Sequence, residues 1–298
     1  GTNLTINNSN GVTLTSSATV TGILTLQSGI LSLGAGANNL SLTNTSNAAL
    51  AGTYSASTMI ITPGTGSIIK SFAAGTTPTL TFPIGDNTGT VEYTPLYFGL
   101  LSNSAAGTLS IRLVNAVHPN NGAAADYLSR YFVFGTTLST YTYTLAHDFA
   151  DPADVTGSTS NMQLSRWNGT TWTPYNTTFS GSTATATATL NNTTAPLAVT
   201  SQFAARTATL TYYRSIASGN WTIATNWETA NDAAFTVGVV TPAAAAPTNA
   251  NSIRVTIEST HTITATSAVT AVDLVVDGTF QMGAGGSIAA SGITFNAT

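Results

Sequence analysis

Apolar and hydroxyl residues alternate along the first seventy positions. Leu4-Thr5-Ile6, Val12-Thr13-Leu14-Thr15, Ile23-Leu24-Thr25-Leu26, Ile30-Leu31-Ser32-Leu33 and Leu40-Ser41-Leu42 each read as a short strand with one buried and one wet face. Asn- and Gly-rich corners separate them: Asn7 to Gly11, Ser28-Gly29 and Gly34 to Asn39. Such residues tolerate the backbone conformations of tight corners. Many short strands with corner Asn and Gly predict a right-handed parallel β-helix (a solenoid) over residues 1–70, with a meander of hairpins as the alternative.

The texture changes over residues 71–206. The strands lengthen and aromatics appear, as in Leu80 to Ile84, Tyr93 to Phe98, Leu109 to Leu113, Tyr127 to Phe134, Tyr141 to Leu145 and Met162 to Trp167. Eight or nine strands separated by Gly, Asn and Asp turns predict an immunoglobulin-like β-sandwich. The first texture returns over 207–298, with Ile253 to Ile257, His261 to Thr264, Val272 to Val276 and Phe280 to Met282. The whole chain is therefore expected to be all-β, with solenoid segments at both ends of a sandwich.

An internal repeat ties the two ends together. Displacing the chain by 249 positions lays His261–Gly285 on Val12–Gly36 without a gap. Val269 falls on Val20, Gly278 on Gly29 and Met282 on Leu33, and the match is expected to keep strand phase as well as corner glycines. Both termini read as strands of this pattern without a polar cap. Residues 289–298 of one copy are thus expected to stack on residues 2–15 of the next, with Leu4, Ile6, Ile293 and Phe295 as the apolar side chains of the interface.

Composition sharpens this picture. Only 6% of the 298 residues are charged while 42% are hydrophobic, so the surface is solvated by hydroxyls and amides and the chain is not disordered. The net charge is −4, Lys70 is the only lysine and no basic patch exists, which excludes a phosphate-binding footprint for nucleic acid. No apolar run reaches the length of a membrane span, so membrane insertion is not expected. The absence of cysteine rules out disulfides, thiolate metal sites and a cysteine nucleophile, and suits an oxidising exterior. The start at Gly1 without a basic-apolar leader reads as a processed product or an excised repeat.

The search for chemistry returns little. His118, His147 and His261 lack metal-ligand spacing with one another. Asp148, Asp151 and Asp154 carry oxygens that suit Ca²⁺, but their spacing fits no EF-hand loop and equally suits a solvated turn. Eleven acids without a facing pair argue against glycoside cleavage, and there is no nucleophile elbow, P-loop or dinucleotide fingerprint. No enzyme, metal or cofactor is expected. Trp167, Trp172, Trp221 and Trp227 are candidates for a sugar platform or for core anchors. Trp221 and Trp227, each beside Asn and small residues, are expected to anchor the second solenoid against the sandwich.

Several stretches carry a family resemblance. Tyr213-Arg214-Ser215 with Ser218-Gly219-Asn220-Trp221, Asn226-Trp227, Pro247-Thr248, Ser252 to Ile257 and His261 to Thr264 form one group. Phe82 to Asp86, Tyr93-Thr94-Pro95, Tyr127 to Phe132 and Arg166 to Trp172 form another. At these residues the chain resembles the very large repetitive surface proteins of Bacteroidota, including gliding-type adhesins exported by type IX secretion. The resemblance implies extracellular or cell-surface placement, tandem repetition and adhesion. The expected function is a structural repeat that joins head to tail with itself in an adhesin or filament. The alternative is a module whose sandwich binds cell-surface glycans on a solenoid stalk.

Overall fold

The computed structural model describes all residues except Ala123, Val199, Thr200, 208–210, Asn231, Asp232, Val237, Gly238, Ala250, Ala297 and Thr298, and the side chain of Pro78. The protein is all-β: strand accounts for 52% of it and helix for 3%, and no sheet closes into a barrel. The chain forms two compact units, Gly1–Thr207 and Ala208–Thr298.

The first unit begins with three windings through the same three ladders. The first winding supplies β1 (Leu4–Asn7), β2 (Val12–Thr13) and β3 (Ala18–Val20). The second supplies β4 (Leu24–Ser28), β5 (Leu31–Ser32) and β6 (Leu40–Leu42). The third supplies β7 (Leu50–Gly52), β8 (Ile60–Ile61) and β9 (Ile68–Phe72). Each strand pairs in parallel with its counterpart one winding later: Leu4 with Leu24 and Leu24 with Leu50, Val12 with Leu31, Ala18 with Leu40. Equivalent side chains therefore stack in columns, one set per ladder, and the inward-facing Leu24, Leu26, Leu31, Leu40, Leu42, Ile60 and Ile68 are buried. The windings need glycine at corners that touch the winding below. At Gly29, with φ +87°, an added Cβ would lie 1.7 Å from the Asn8 carbonyl oxygen.

The chain then builds β10 (Thr77–Phe82), β11 (Ile84–Asp86), β12 (Glu92–Tyr93), β13 (Leu96–Asn103), β14 (Gly107–Val114), β15 (Tyr127–Thr136) and β16 (Tyr141–Asp148). There follow β17 (Val155–Thr156), β18 (Met162–Trp167), β19 (Trp172–Tyr175), β20 (Thr177–Ser180), β21 (Thr183–Ala186), β22 (Leu190–Asn191) and β23 (Gln202–Thr207). Two large sheets result. One runs β10-β13-β16-β21-β20 with β22 on β16; the other runs β19-β18-β23-β15-β14-β9-β6-β3 with β17 on β15.

The second sheet joins the windings to the antiparallel layer. On one side of β9, Ile68 pairs in parallel with Leu40; on the other, it pairs antiparallel with Ile111. Position 70, the expected solenoid–sandwich boundary, falls inside this strand, and residues 1–70 and 71–206 share one hydrophobic core. Phe72 meets Phe98 across the two sheets at 6.0 Å, and Phe98 stacks on Tyr143 at 5.4 Å. Alternation along β15 and β16 directs every second residue into this interface, which is the sandwich-like packing of two half-buried sheets.

The second unit comprises β24 (Thr211–Ser215), β25 (Gly219–Asn220), β26 (Trp227–Ala230), β27 (Ser252–Ile257), β28 (Thr262–Ala265), β29 (Ala268–Val276), β30 (Thr279–Met282) and β31 (Ser287–Phe295). Its sheets run β26-β24-β27-β29-β31 and β25-β28-β30. All pairs are parallel except β24–β26.

The 249-residue correspondence holds in part. Val20 and Val269 are both buried, and Gly278, like Gly29, lies against carbonyls of the preceding winding. Strand phase is kept where Leu31 and Leu33 correspond to Phe280 and Met282, which stack on the buried Ile263 and Ala265, and is lost at Leu24 and Leu26. Leu24 and Leu26 are buried, but their counterparts Asp273 and Val275 are half-buried while Leu274 and Val276 point inward. The first unit leaves its strand at Val20 for a corner and re-enters at Leu24. In the second, β29 runs unbroken and changes inward face between Ala271 and Leu274, so the same spacing ends one residue out of phase.

Candidate assembly edges

The parallel register of the second unit sets its side chains in columns that can be followed layer by layer. Val255 pairs with Leu274 and Leu274 with Ile293; Ile257 pairs with Val276 and Val276 with Phe295. In the other ladder, Ile263 pairs with Phe280 and Ala265 with Met282. Val255, Ile257, Ile263, Ala265 and Leu274 are completely buried, and Val276 is 3% exposed. In the last layer Ile293 is 43% exposed, Met282 51% and Phe295 69%. Among the described residues, these inward-facing positions have a layer on one side only.

Among the described residues, no strand pairs with the outer edge of the strand that carries the last layer. β31 is the outermost strand of its sheet, nine residues long, and its sequence SIAASGITF has no charge and no proline. Natural sheets blunt such edges with charged side chains, proline or bulges, because unpaired N–H and C=O groups otherwise template a further strand. Asp273, on the neighbouring β29, accepts from Arg254 Nε of β27 at 2.7 Å, and Asn296 Nδ2 donates to Asp277 at 2.5 Å. Ala297 and Thr298, which close the stretch 289–298 expected to meet a neighbour, lie outside the described residues.

At the other end, β1, β2 and β3 are each the outermost strand of a ladder. No residue before Lys70 carries a charged side chain. Leu4 is half-buried and Ile6 is buried, both against the first unit's own core. Of the four interface residues expected from sequence, Ile293 and Phe295 thus present large exposed surfaces, whereas Leu4 and Ile6 offer mainly backbone edge.

The aromatic candidates separate into two settings, both structural. Trp221 and Trp227 are buried, 5.1 Å apart and edge-on. Trp221 Nε1 donates to the Pro247 carbonyl and Trp227 Nε1 to the Trp221 carbonyl, each at 2.9 Å. Both lie in the core of the second unit, with Tyr213, Val255 and Ile263. Trp167 and Trp172 pair across β18 and β19 with centroids 5.4 Å apart. Between them and Tyr131 sits His118, at 4.8 Å from Tyr131 and 4.6 Å from Trp172, and the Arg206 guanidinium lies over the Trp172 ring. Trp172 Nε1 donates to the Asn120 carbonyl. These rings fasten the segment His118–Asn121 onto the outer face of the sheet. The lone His118, unremarkable in the sequence, is its centre.

The acidic triplet is likewise divided among different partners. Asp148 accepts hydrogen bonds from the Tyr97 and Thr183 hydroxyls, and Asp154 pairs with the fully buried Arg130, which also reaches Glu92 at 2.5 Å. Asp151 is exposed. Among the described residues no group of three or more His, Cys, Asp or Glu side chains is placed to hold a metal ion, and no helix is long and apolar enough to cross a membrane. No protein-family model matches the chain, and neither a curated protein nor a solved structure matches it.

Proposed function

We propose that this chain is a structural repeat of an extracellular adhesin or filament, and that it assembles head to tail through its open ladder edges. In this reading the windings at both ends are rungs of a right-handed parallel β-helix, the hand that parallel crossovers adopt almost without exception, and the intervening sheets form an immunoglobulin-like sandwich. The β31 edge of one copy adds the next rung to β1–β3 of another. The protein acts by presenting surfaces, with no catalytic step.

The observation that carries the reading is the loss of burial in the last layer of the second unit's columns, Ile293 over Leu274 and Phe295 over Val276, on an uncharged edge strand. Burying an exposed apolar side chain of this size contributes about 1.5–3 kcal/mol, and the ladder hydrogen bonds of a new rung add to it. The likeness of residues 213–264 to repetitive surface proteins supports an extracellular setting, and the scarcity of charge suits a polymer more than a freely diffusing solute.

The test is electron microscopy and sedimentation of the whole chain over a wide concentration range. Wild type is expected to form end-to-end fibres, and Leu4→Arg and Phe295→Asp to stay monomeric while folded. A wild type that remains monomeric at high concentration, or variants that polymerise equally well, overturns the model.

A further inference from the structure

The basic residues of this chain are few, and nearly all are occupied. Lys70 donates to the Asn44 and Ser71 carbonyls, Arg130 pairs with Glu92 and Asp154, and Arg166 binds the Pro196 carbonyl and the Ser201 hydroxyl. Arg206 donates to Asn121, Arg214 pairs with Glu228 and Arg254 with Asp273. Arg112 alone has no hydrogen-bond or ion-pair partner among the described residues. It is half-buried near the end of β14, in the wall of a cavity of about 160 Å³.

The same cavity is lined by Asp86, Asn87, Thr88 and Asn115. The Asp86 carboxylate is buried and already accepts from the Thr88 backbone N–H and from Asn115 Nδ2. It forms no ion pair with Arg112, although both line so small a space. A guanidinium beside a buried carboxylate that is engaged elsewhere leaves a planar fork of donors free for an incoming oxyanion. Asn87, Asn115 and Asp86 retain acceptor capacity for hydroxyl groups.

The cavity does not stand alone. A broader open groove of about 460 Å³ adjoins it through Ile61, Pro63 and Asn87 and runs across the ladder β2, β5 and β8. β11 pairs in parallel with β8, so the ladder from β2 to β11 spans three strand spacings, roughly 14 Å. The groove is lined by hydroxyl and amide side chains such as Asn10, Thr13, Ser32 and Ser57 over Val12 and Ile61. It contains no charged residue. One cationic end and a long neutral, hydroxylated track match a chain ligand with many hydroxyls and at least one acidic group.

The geometry points to a binding site for an acidic saccharide chain: Arg112 takes a hexuronate carboxylate, Asp86 and its amide neighbours take ring hydroxyls, and the β2-β5-β8 groove carries the following sugars. The site lies wholly within the first unit and does not depend on the assembly proposed above.

The test is isothermal titration of the whole chain with tetragalacturonate, with the same tetrasaccharide after reduction of its carboxylates to alcohols, and with a sulfated neutral tetrasaccharide. The hexuronate is expected to bind, and the reduced form to bind about tenfold or more weakly, the factor that one lost charge-assisted hydrogen bond corresponds to. Arg112→Gln is expected to weaken hexuronate binding by a similar factor and Asn87→Ala by a smaller one, with melting temperatures unchanged. Arg254→Gln, on the second unit, is expected to bind as wild type does. Absence of binding, equal binding of the reduced sugar, or an unaffected Arg112→Gln overturns the site. Tighter binding of the sulfated sugar overturns the carboxylate assignment.

Discussion

Phe295 lies in parallel register on Val276, which lies on Ile257: one column of three layers in which Ile257 and Val276 are buried and Phe295 is 69% exposed. Because Phe295 contributes little to the unit that carries it, its substitution separates folding from association. Phe295→Asp is expected to change the stability of the isolated chain by less than about 0.5 kcal/mol. Fibre growth should stop, since the carboxylate would be desolvated in the new rung without a partner. Chemical denaturation and sedimentation velocity on the same samples distinguish the two effects.

Trp227 has the opposite character. It is wholly buried, packs edge-on against Trp221 and donates to that residue's carbonyl. Trp227→Ala is expected to destabilise the second unit by about 3–5 kcal/mol through the cavity it leaves. Loss of hydrogen-exchange protection over residues 211–295, with residues 1–207 still protected, is the result to look for.

Arg130 is buried between Glu92 and Asp154 and also reaches the Thr94 hydroxyl. Arg130→Met removes the shared cation and leaves two carboxylates in a poorly hydrated site, an uncompensated burial that costs about 3–5 kcal/mol. The triple change with Glu92→Gln and Asp154→Asn should recover much of that loss in a denaturant titration, because no buried charge is then left without its partner.

His147 gives the first unit an acid limb. Burial pushes its pKa down to about 4; the Arg130 charge acts in the same direction, while the hydrogen bond to the Asp148 carbonyl and the Asp148 and Asp154 carboxylates oppose it. Its Nε2 is buried without a partner. Unfolded histidine titrates near pH 6.5. Between these values the unfolded chain binds a proton that the native chain does not, so stability falls as the pH drops from about 6.5 towards 4 and does not depend on this group above that window. The loss is on the order of 2–3 kcal/mol at the lower limit. His147→Leu should flatten this limb in melting curves taken between pH 7 and 4.5.

The alternation of Leu, Ile and Val with Thr and Ser determined from sequence alone that this protein is built of strands, because a period of two leaves a chain only one way to bury its apolar side. Corner residues such as Gly29 and Gly278 were equally legible, since contact with a carbonyl of the preceding winding leaves no room for a side chain. Strands such as Ala18–Val20 and Ile60–Ile61 were not, being too short to show a period. What only the tertiary structure decided are the relations between distant segments. It made β9 the strand where parallel pairing with β6 gives way to antiparallel pairing with β14, so that a boundary drawn at residue 70 cuts through a sheet. It placed the four tryptophans in protein contacts, and it set the later half of β29, from Leu274, one residue out of phase with its counterpart. It also left Arg112, among the described residues, without the hydrogen-bond or ion-pair partners that the other basic residues have. Pairing, phase and partnership depend on which strands meet, and local alternation is the same whichever neighbour a strand finds.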